Sequence, residues 1–165
     1  MVRFDRVSST QDVARKYAED GREVVVVAEE QTGGRGRLGR KWFSPRGGLW
    51  FSVVLRRIET PVTLVCLAAG LAVAEAVEEL TGLKPCLKWP NDVLINGRKV
   101  CGVLVEGKFT GEKLSYLIVG VGLNVNIPLD SFPPSIRGKA TSLLNELGAK
   151  VNSCLLYTSP SPRDS

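Results

Sequence analysis

The segment from Gln31 to Arg46 reads QTGGRGRLGRKWFSPR and carries five cations without one acidic residue. Because glycines recur among these cations, and glycine has the most backbone freedom to lose, the segment is unsuited to a helix or a strand. The chain has 22 Lys and Arg residues against 17 Asp and Glu residues, so its formal net charge of +5 equals the charge of this one segment. We therefore predict a mobile basic loop (residues 31–46), with Trp42 near its end, that closes over a phosphorylated small molecule.

Apolar, β-branched runs lie on both sides of the basic loop. Glu23 to Glu29 (EVVVVAE) predicts a buried strand before it, and Gly48 to Arg57 (GLWFSVVLRR) predicts a second strand after it. Further upstream, a helix is expected from an N-cap at Ser9 to a stop at Gly21. Further downstream, Pro61 opens a long helix that is apolar nearly all round at first, so this helix is predicted to be largely buried against a sheet.

The second half of the chain alternates short apolar runs with turn residues. Asn96-Gly97, between two of these runs, is a strong signal for a tight hairpin. The order of helix, strands, helix and then a meander predicts an α+β fold, with a mixed, mostly antiparallel sheet and helices packed on one of its faces. The further predicted strands are Cys86 to Trp89, Val93 to Ile95, Val100 to Glu106 and Leu114 to Val125.

Length and composition indicate about one globular domain, which we place at residues 1–151, because the 165-residue chain is 44% hydrophobic and 24% charged. Residues 152–165 (NSCLLYTSPSPRDS) cluster Pro and Ser without periodicity, and they predict a disordered tail that is not native to the domain. The N-terminus lacks the apolar run of a signal peptide, and the longest apolar stretch, Val62 to Ala74, is too short to span a bilayer. A cytoplasmic location is therefore expected.

The chain contains no histidine, which excludes a Ser-His or Cys-His nucleophile and a metal site built on histidine. The four cysteines show no CxxC spacing, so no metal site is expected and a reduced cytosolic setting fits. Any chemistry must therefore come from Lys, Arg or Asp side chains, or from the substrate's own groups.

Five segments combine polar residues with predicted strand ends or turns. They are Ser9-Thr10-Gln11, the basic loop as far as Trp42, Lys88 to Asp92 (KWPND), Arg98-Lys99 and Gly120 to Asn126 (GVGLNVN). Taken singly, each has an ordinary interpretation, such as a solvated turn, a pair of turn formers or a hairpin charge facing solvent.

The three tryptophans also have ordinary interpretations. Trp50 and Trp89 are expected in the core, because both lie in predicted strands. Trp42, beside the basic loop, is an even choice between a core anchor and an adenine contact.

In this combination and order, the segments resemble the catalytic domain of biotin protein ligases, over roughly Phe4 to Val151. GRGRLGRKW and KWPND are the most specific parts of the resemblance. It implies the class II synthetase-like fold shared with lipoate ligases, and an enzyme with two half-reactions. Biotin and ATP, with Mg²⁺, give biotinyl-5′-AMP, and a lysine of a biotin carboxyl carrier protein then takes the biotinyl group.

The resemblance implies biotin-binding roles for several residues. Ser9-Thr10-Gln11 matches the family's segment that bonds the ureido ring of biotin, with Gln11 standing where Asn is commoner. Gln31 matches a glutamine that contacts the biotin head. Arg35-Gly36-Arg37 matches the centre of the biotinyl-adenylate loop, and Lys99 matches the lysine held against the biotin carboxylate and the α-phosphate.

The resemblance also implies residues on the nucleotide side. Arg40 and Trp42 match positions that close on the phosphate and adenine, and Asn124 matches an asparagine on the phosphate or ribose side. Lys88 and Asp92 match the segment that lines the nucleotide side and the acceptor approach.

Physical chemistry agrees with these roles. The attack of a carboxylate on the α-phosphate concentrates negative charge, and Lys99 and Arg37 are suited to stabilise it by about 3 kcal/mol each. The acceptor lysine must be neutral to attack, and Asp92 is the candidate to orient or deprotonate it.

Two alternatives stay open at this point. A lipoate- or octanoate-transferring relative would share the fold, although the complete GRGRLGRKW loop disfavours it. The pI of about 9.2 suggests a nucleic-acid-binding protein as the second alternative. Such a protein, however, usually spreads its basic residues along one face of the molecule. No DNA-binding domain is expected, and a homodimer is left open. The resemblance stops before the family's C-terminal domain, so the activity of this chain is left open too.

Overall fold

The computed structural model describes residues 1–56 and 58–152 of the chain. Arg57 and residues 153–165, which make up most of the predicted tail, lie outside the described residues. The described strands are β1 (Val2–Val7), β2 (Val25–Gln31), β3 (Leu49–Leu55), β4 (Cys86–Lys88), β5 (Asp92–Ile95), β6 (Arg98–Thr110) and β7 (Lys113–Leu123). The described α-helices are α1 (Thr10–Glu19), α2 (Val62–Thr81), α3 (Pro134–Arg137) and α4 (Leu143–Leu147).

The seven described strands form one sheet in the order β1-β2-β3-β7-β6-β5-β4. Only β1 and β2 run parallel, and the other neighbours are antiparallel. This confirms the α+β class with a mixed, mostly antiparallel sheet. The Asn96-Gly97 hairpin is confirmed as well, because both residues have the positive φ values, 50° and 75°, that a type I′ turn requires.

Strand β1 is absent from the predictions above. Its sequence, VRFDRV, turns Val2 and Phe4 toward the core and leaves Arg3 and Asp5 exposed. This alternation of apolar and polar residues is the signal that indicates a half-buried strand. Its pairing with β2 makes α1 the crossover between two parallel strands.

The position of the helices differs in detail from the prediction, because α1 and α2 lie against opposite faces of the sheet. On one face, Ala14 and Ala18 of α1 pack with Val54 of β3. On the other face, α2 lies beside Phe51 and Val53, which alternate with Val54 along the same strand. Successive side chains of a strand point to opposite faces, so one strand supports both helices. Hydrophobic periodicity shows that a helix is amphipathic but not which face of the sheet it covers.

Helix α2 is less buried than predicted. Leu64 and Leu71 are 51% and 46% exposed, and an apolar groove of roughly 570 Å³ runs between α2 and the sheet beside Phe51 and Leu55. A helix that is apolar on nearly all sides needs apolar partners on all of them. The described residues cover only the side of α2 that faces the sheet.

The prediction for the tryptophans is correct for Trp50 and wrong for Trp89. Trp50 is fully buried, and its Nε1 donates a hydrogen bond of 2.9 Å to the carbonyl oxygen of Pro45. Trp89 is 66% exposed, because it lies in a turn that follows β4, the edge strand of the sheet. Among the residues that the structure describes, no helix has both the length and the apolar character needed to cross a bilayer.

Candidate active site

The thirteen candidate residues from the sequence all border one pocket of roughly 570 Å³. The pocket lies on the face of the sheet that carries α1, beside the N-terminal end of that helix. The basic loop, the KWPND turn and the start of β6 form its other walls. The residues are Ser9, Thr10, Gln11, Gln31, Arg35, Gly36, Arg37, Arg40, Trp42, Lys88, Asp92, Lys99 and Asn124.

Glycines on β6 and β7 form the floor of the pocket and allow side chains to lie directly on the backbone. The ring of Trp42 covers Gly122 and Gly102, and a Cβ atom at Gly122 would lie only 2.3 Å from Trp42 Nε1. Gly120 lies under the Gln11 amide, whose Oε1 would be 2.9 Å from a Cβ at that position. These glycines are therefore required for close approach, as glycine in a strand often is.

A buried hydrogen-bond network builds the end of the pocket beside α1. The Ser9 side chain caps the helix by accepting a hydrogen bond from the backbone N–H of Gln11 at 3.3 Å. The backbone N–H and Oγ1 of Thr10 both donate to Gln31 Oε1, at 2.8 and 3.1 Å. Gln31 Nε2 in turn donates to Ser44 Oγ at 3.0 Å. The network fixes the first turn of α1 against the end of β2 and the base of the loop.

Lys99 lies at the centre of the other end of the pocket, opposite α1. Its Nζ is 2.6 Å from Asp92 Oδ1 and 4.9 Å from the centre of the Trp42 ring. Its backbone is fixed by hydrogen bonds with Lys139 and Thr141, at 2.8 and 2.9 Å. Lys99 is thus a partly buried cation that touches an aromatic face and a carboxylate at once.

The basic loop has a defined conformation in the structure, with a short 3₁₀ turn at Arg37–Gly39. The backbone N–H of Gly36 donates to the Arg40 carbonyl at 2.7 Å, and that of Trp42 donates to the Gly34 carbonyl at 2.8 Å. Leu38 at the tip adopts φ 57°, the left-handed conformation that few residues other than glycine take, and its side chain is 87% exposed. The tip of the loop therefore faces solvent, while its base is hydrogen-bonded.

Besides Asp92 Oδ1, which is satisfied by its ion pair with Lys99, three buried polar atoms at this pocket have no hydrogen-bond partner among the described residues: Gln11 Oε1, Trp42 Nε1 and Asn124 Oδ1. An unsatisfied buried group costs about 1–3 kcal/mol. Such groups are rare in folded proteins and are often explained by a role in binding or catalysis. Their concentration here points to a binding site.

The thiol of Cys101, two residues after Lys99 on β6, is not a candidate nucleophile. Cys101 is fully buried, and burial raises its pKa to about 12, although Lys99 nearby acts in the opposite direction. The thiolate is the nucleophilic form, so a thiol with this pKa is unreactive at neutral pH.

Several pocket residues are missing from the sequence-based candidates. Phe132, Ile136 and Lys139 reach the pocket because β6 pairs with residue 140 through a bridge at Lys99. Asn91 accepts a hydrogen bond of 3.3 Å from Arg37 Nη1. The KWPND motif contains Asn91, so a sequence signal existed for this residue. No local signal existed for the others, since the contact joins distant parts of the chain.

Comparison with known proteins agrees with this geometry. Residues 3–124 match the biotin/lipoate A/B protein ligase family. The bifunctional ligase/repressor BirA of Bacillus subtilis is 39% identical over 158 residues, covering 92% of this chain and 48% of that protein. The biotin–[acetyl-CoA-carboxylase] ligase of Mycobacterium tuberculosis is 42% identical over 129 residues, covering 74% of this chain and 45% of that protein.

Solved structures give the same result. The biotin protein ligase from Aquifex aeolicus in complex with biotin and ATP superposes with a TM-score of 0.80 at 39% identity, over 94% of this chain and 64% of that one. The Leishmania major enzyme in complex with biotinyl-5-AMP gives 0.74 at 31% identity, over 94% and 72%. The present chain spans about half the length of the curated relatives it matches. The family match, the fold and the pocket agree, and the chain belongs to the biotin/lipoate A/B protein ligase family.

Proposed function

We propose that this chain activates biotin with ATP to biotinyl-5′-AMP and transfers the biotinyl group to a lysine of a biotin carboxyl carrier protein. One observation carries the proposal: the helix start at Ser9-Thr10-Gln11, the basic loop and Lys99 all border one pocket. The relatives named above as biotin ligases support the choice of biotin. Because the chain spans only part of those relatives, the activity of this fragment is itself part of the proposal.

In the first half-reaction, an oxygen of the biotin carboxylate bonds to the α-phosphorus of ATP, and the bond from that phosphorus to the bridging oxygen breaks to release pyrophosphate. We assign the network around Thr10 and Gln31 to the ureido ring. Lys99 and Arg37 stabilise the charge that builds up between carboxylate and phosphate, with a contribution of about 3 kcal/mol for each well-placed donor. Arg40, Lys88, Asn124 and Trp42 complete the nucleotide side.

In the second half-reaction, a neutral lysine amine attacks the acyl carbon, and AMP leaves with the phosphate oxygen. Asp92 is the candidate to orient or deprotonate that amine. Its ion pair with Lys99, at 2.6 Å, means that the two residues work as a unit. A change in either one therefore alters the charge of the other's surroundings.

Mg²⁺ is expected as the companion of ATP, but the described residues do not offer it a protein cage. Among them, the carboxylates nearest the candidate residues are already paired with cations, Asp92 with Lys99 and both Asp12 and Glu106 with Arg35. Mg²⁺ commonly takes only one or two protein carboxylates beside the phosphates. No step of the mechanism is therefore assigned to the metal.

Transfer of labelled biotin tests the proposal. The chain is incubated with ATP, a biotin carrier domain and either labelled biotin or labelled lipoate, with a carrier whose acceptor lysine is changed to arginine as the control. Label on the carrier and pyrophosphate release are expected only with biotin. Label transfer from lipoate alone would support the lipoate-transferring alternative. Binding to DNA at moderate salt without biotin binding would support the nucleic-acid alternative.

We expect a cytoplasmic enzyme, since Cys66, Cys86 and Cys101 are all free thiols and disulfides are rare in that compartment. The molecular mass in solution distinguishes a homodimer from a monomer.

A further inference from the structure

We propose that Asp12 and Glu106 clasp the guanidinium of Arg35 and so hold the basic loop over the pocket before a ligand binds. In this arrangement Arg35 is a positioning residue that anchors the loop beside the pocket, and Arg37, Arg40 and Lys41 bind the anion. The proposal rests on the proposed function for the identity of the ligand, but the clasp itself involves only groups of this chain.

The contacts of Arg35 carry the first step. Its Nη1 lies 2.8 Å from Asp12 Oδ1 and donates to Oδ2 at 2.9 Å, so it reaches both carboxylate oxygens. Its Nη2 lies 3.6 Å from Glu106 Oε2. The planar fork of arginine is suited to hold two carboxylates at once. Asp12 belongs to the first turn of α1 and Glu106 to the middle of β6, so the loop is tied to two elements of the scaffold.

Glu106 also connects the loop to the pocket. Its Oε2 accepts a hydrogen bond from Gln11 Nε2 at 3.0 Å and another from Arg15 Nη2 at 3.1 Å. A carboxylate only accepts, so the Gln11 amide must turn its Nε2 toward Glu106 and its Oε1 toward Gly120 and the pocket floor. One carboxylate therefore positions both a pocket side chain and the loop anchor.

Arg46, at the far end of the loop, pairs with Asp5 and Glu30, but the three cations near the tip are held more weakly or project outward. The described hydrogen bond of the Arg37 side chain goes to a neutral group, the amide oxygen of Asn91, at 3.3 Å. Arg40 and Lys41 are exposed at the pocket rim. The charge of Arg35 is balanced by two carboxylates, so it is poorly suited to attract an anion, whereas these three cations remain available for phosphates.

Backbone hydrogen bonds link Arg35 to the neighbouring residues of the loop. Arg35 pairs with Lys41 through a β-bridge, and Trp42 bonds to Gly34 across the base of the loop. Fixing residue 35 therefore fixes both strands of the base and the Trp42 ring that covers the glycine floor. The tip around Leu38 stays free to move.

The clasp is tested in the full chain with three variants, Asp12→Asn, Glu106→Gln and Arg35→Ala. Amide exchange and biotin affinity are measured for each variant. In each variant without ligand, the amides of residues 34–42 are expected to exchange about three- to tenfold faster than in the wild type. Biotin binding is expected to weaken by a similar factor, which is the size of effect found for interacting charged neighbours. Asp5→Asn is the matched control, because it removes the exposed Asp5–Arg46 ion pair at the far end of the loop. Arg35→Lys, which cannot bridge two carboxylates, is expected to fall between the wild type and Arg35→Ala.

A double-mutant cycle decides between anchor and ligand contact. If Arg35 acts through Asp12, adding Asp12→Asn to Arg35→Ala causes no further loss of protection or affinity. Additive effects, or unchanged exchange of the loop in both carboxylate variants, would overturn the clasp. Unchanged exchange of β7 amides shows that the variants are folded. A wild-type chain that does not bind biotin contradicts the proposed function, but the exchange cycle without ligand still decides the clasp.

Discussion

Lys99 and Asp92 show how a residue-level prediction changes when its neighbours are known. Each was assigned a separate role from the sequence, but their side chains form one ion pair beneath the Trp42 ring. The ion pair holds the cation in place without a ligand, and in the proposed reaction this reduces the reorganisation needed in the transition state. A lysine after a hairpin can either face solvent or belong to a site. The contact with Asp92 and Trp42 distinguishes the two, and this contact cannot be seen in the sequence.

Replacing either proposed catalytic cation by alanine is expected to impair adenylate formation far more than folding. Arg37 is exposed and Lys99 is partly buried, so Arg37→Ala and Lys99→Ala remove charge near the reacting groups but little packing. We expect pyrophosphate release to fall by about 100-fold or more. Lys113→Ala, which removes an exposed lysine at the start of β7, is the matched control. Melting temperatures measured beside pyrophosphate release separate the two effects; variants that unfold but retain activity per folded molecule would contradict these roles.

The basic loop illustrates the scale of the element. Its glycines and cations predict mobility, and the structure divides it into a hydrogen-bonded base and an exposed tip. Glycine content reports the freedom of a segment in isolation, but Arg35 forms ion pairs with carboxylates from other elements. The prediction of mobility therefore now applies to the exposed tip at Arg37–Gly39.

The tip of the loop is expected to become ordered around biotinyl-5′-AMP. Ligand phosphate would neutralise the exposed cations Arg37, Arg40 and Lys41, which repel one another in the free protein. Amide exchange of residues 33–41 with and without the ligand checks this, with free AMP as the control for phosphate binding alone. Equal protection in the two states would contradict loop ordering.

For the molecule as a whole, the apolar groove beside α2 is an unpaired surface among the described residues. It is lined by aliphatic and aromatic side chains from α2, β3 and β7, and Leu64 and Leu71 stand exposed on the same helix. Contiguous apolar surfaces of this kind promote association. Low solubility or self-association of this chain is therefore expected.

A charge on α2 is expected to reduce self-association. Leu71→Lys places a cation on the exposed side of the helix and should weaken association about tenfold, since burying a leucine contributes about 1.5–3 kcal/mol. Phe109→Lys, at an exposed residue on the β6–β7 hairpin, is the matched control. Sedimentation velocity over a concentration series measures the effect. If both variants disperse the assemblies equally, the groove is not the contact.

Removing residues 152–165 is expected to leave biotin affinity unchanged. All thirteen candidate site residues precede Asn152, and a Pro- and Ser-rich tail contributes little to packing. Calorimetric titration of biotin into the full and trimmed chains provides the comparison, with the melting temperature as a check on folding. A marked loss of affinity would show that the tail is an integral part of the domain.

The sequence by itself determined the local elements and the candidate residues of the pocket. Six of the seven described strands lie near predicted positions. These strands, the Ser9 cap and the Asn96-Gly97 hairpin depend on residues only a few positions apart, where propensity and sterics act directly. The thirteen candidate residues were likewise found from motifs, and the fold brings them to one pocket.

Only the tertiary structure decided what depends on contacts between distant residues. The order of strands in the sheet decides three such features. They are the faces that α1 and α2 cover, the exposure of Trp89 and the partners of Arg35. Asp12 and Glu106 are far apart along the chain, and no local pattern links either one to Arg35. They meet because α1 lies over β3 and β7, beside β6, and a pairing of that kind is set by the packing of the whole sheet.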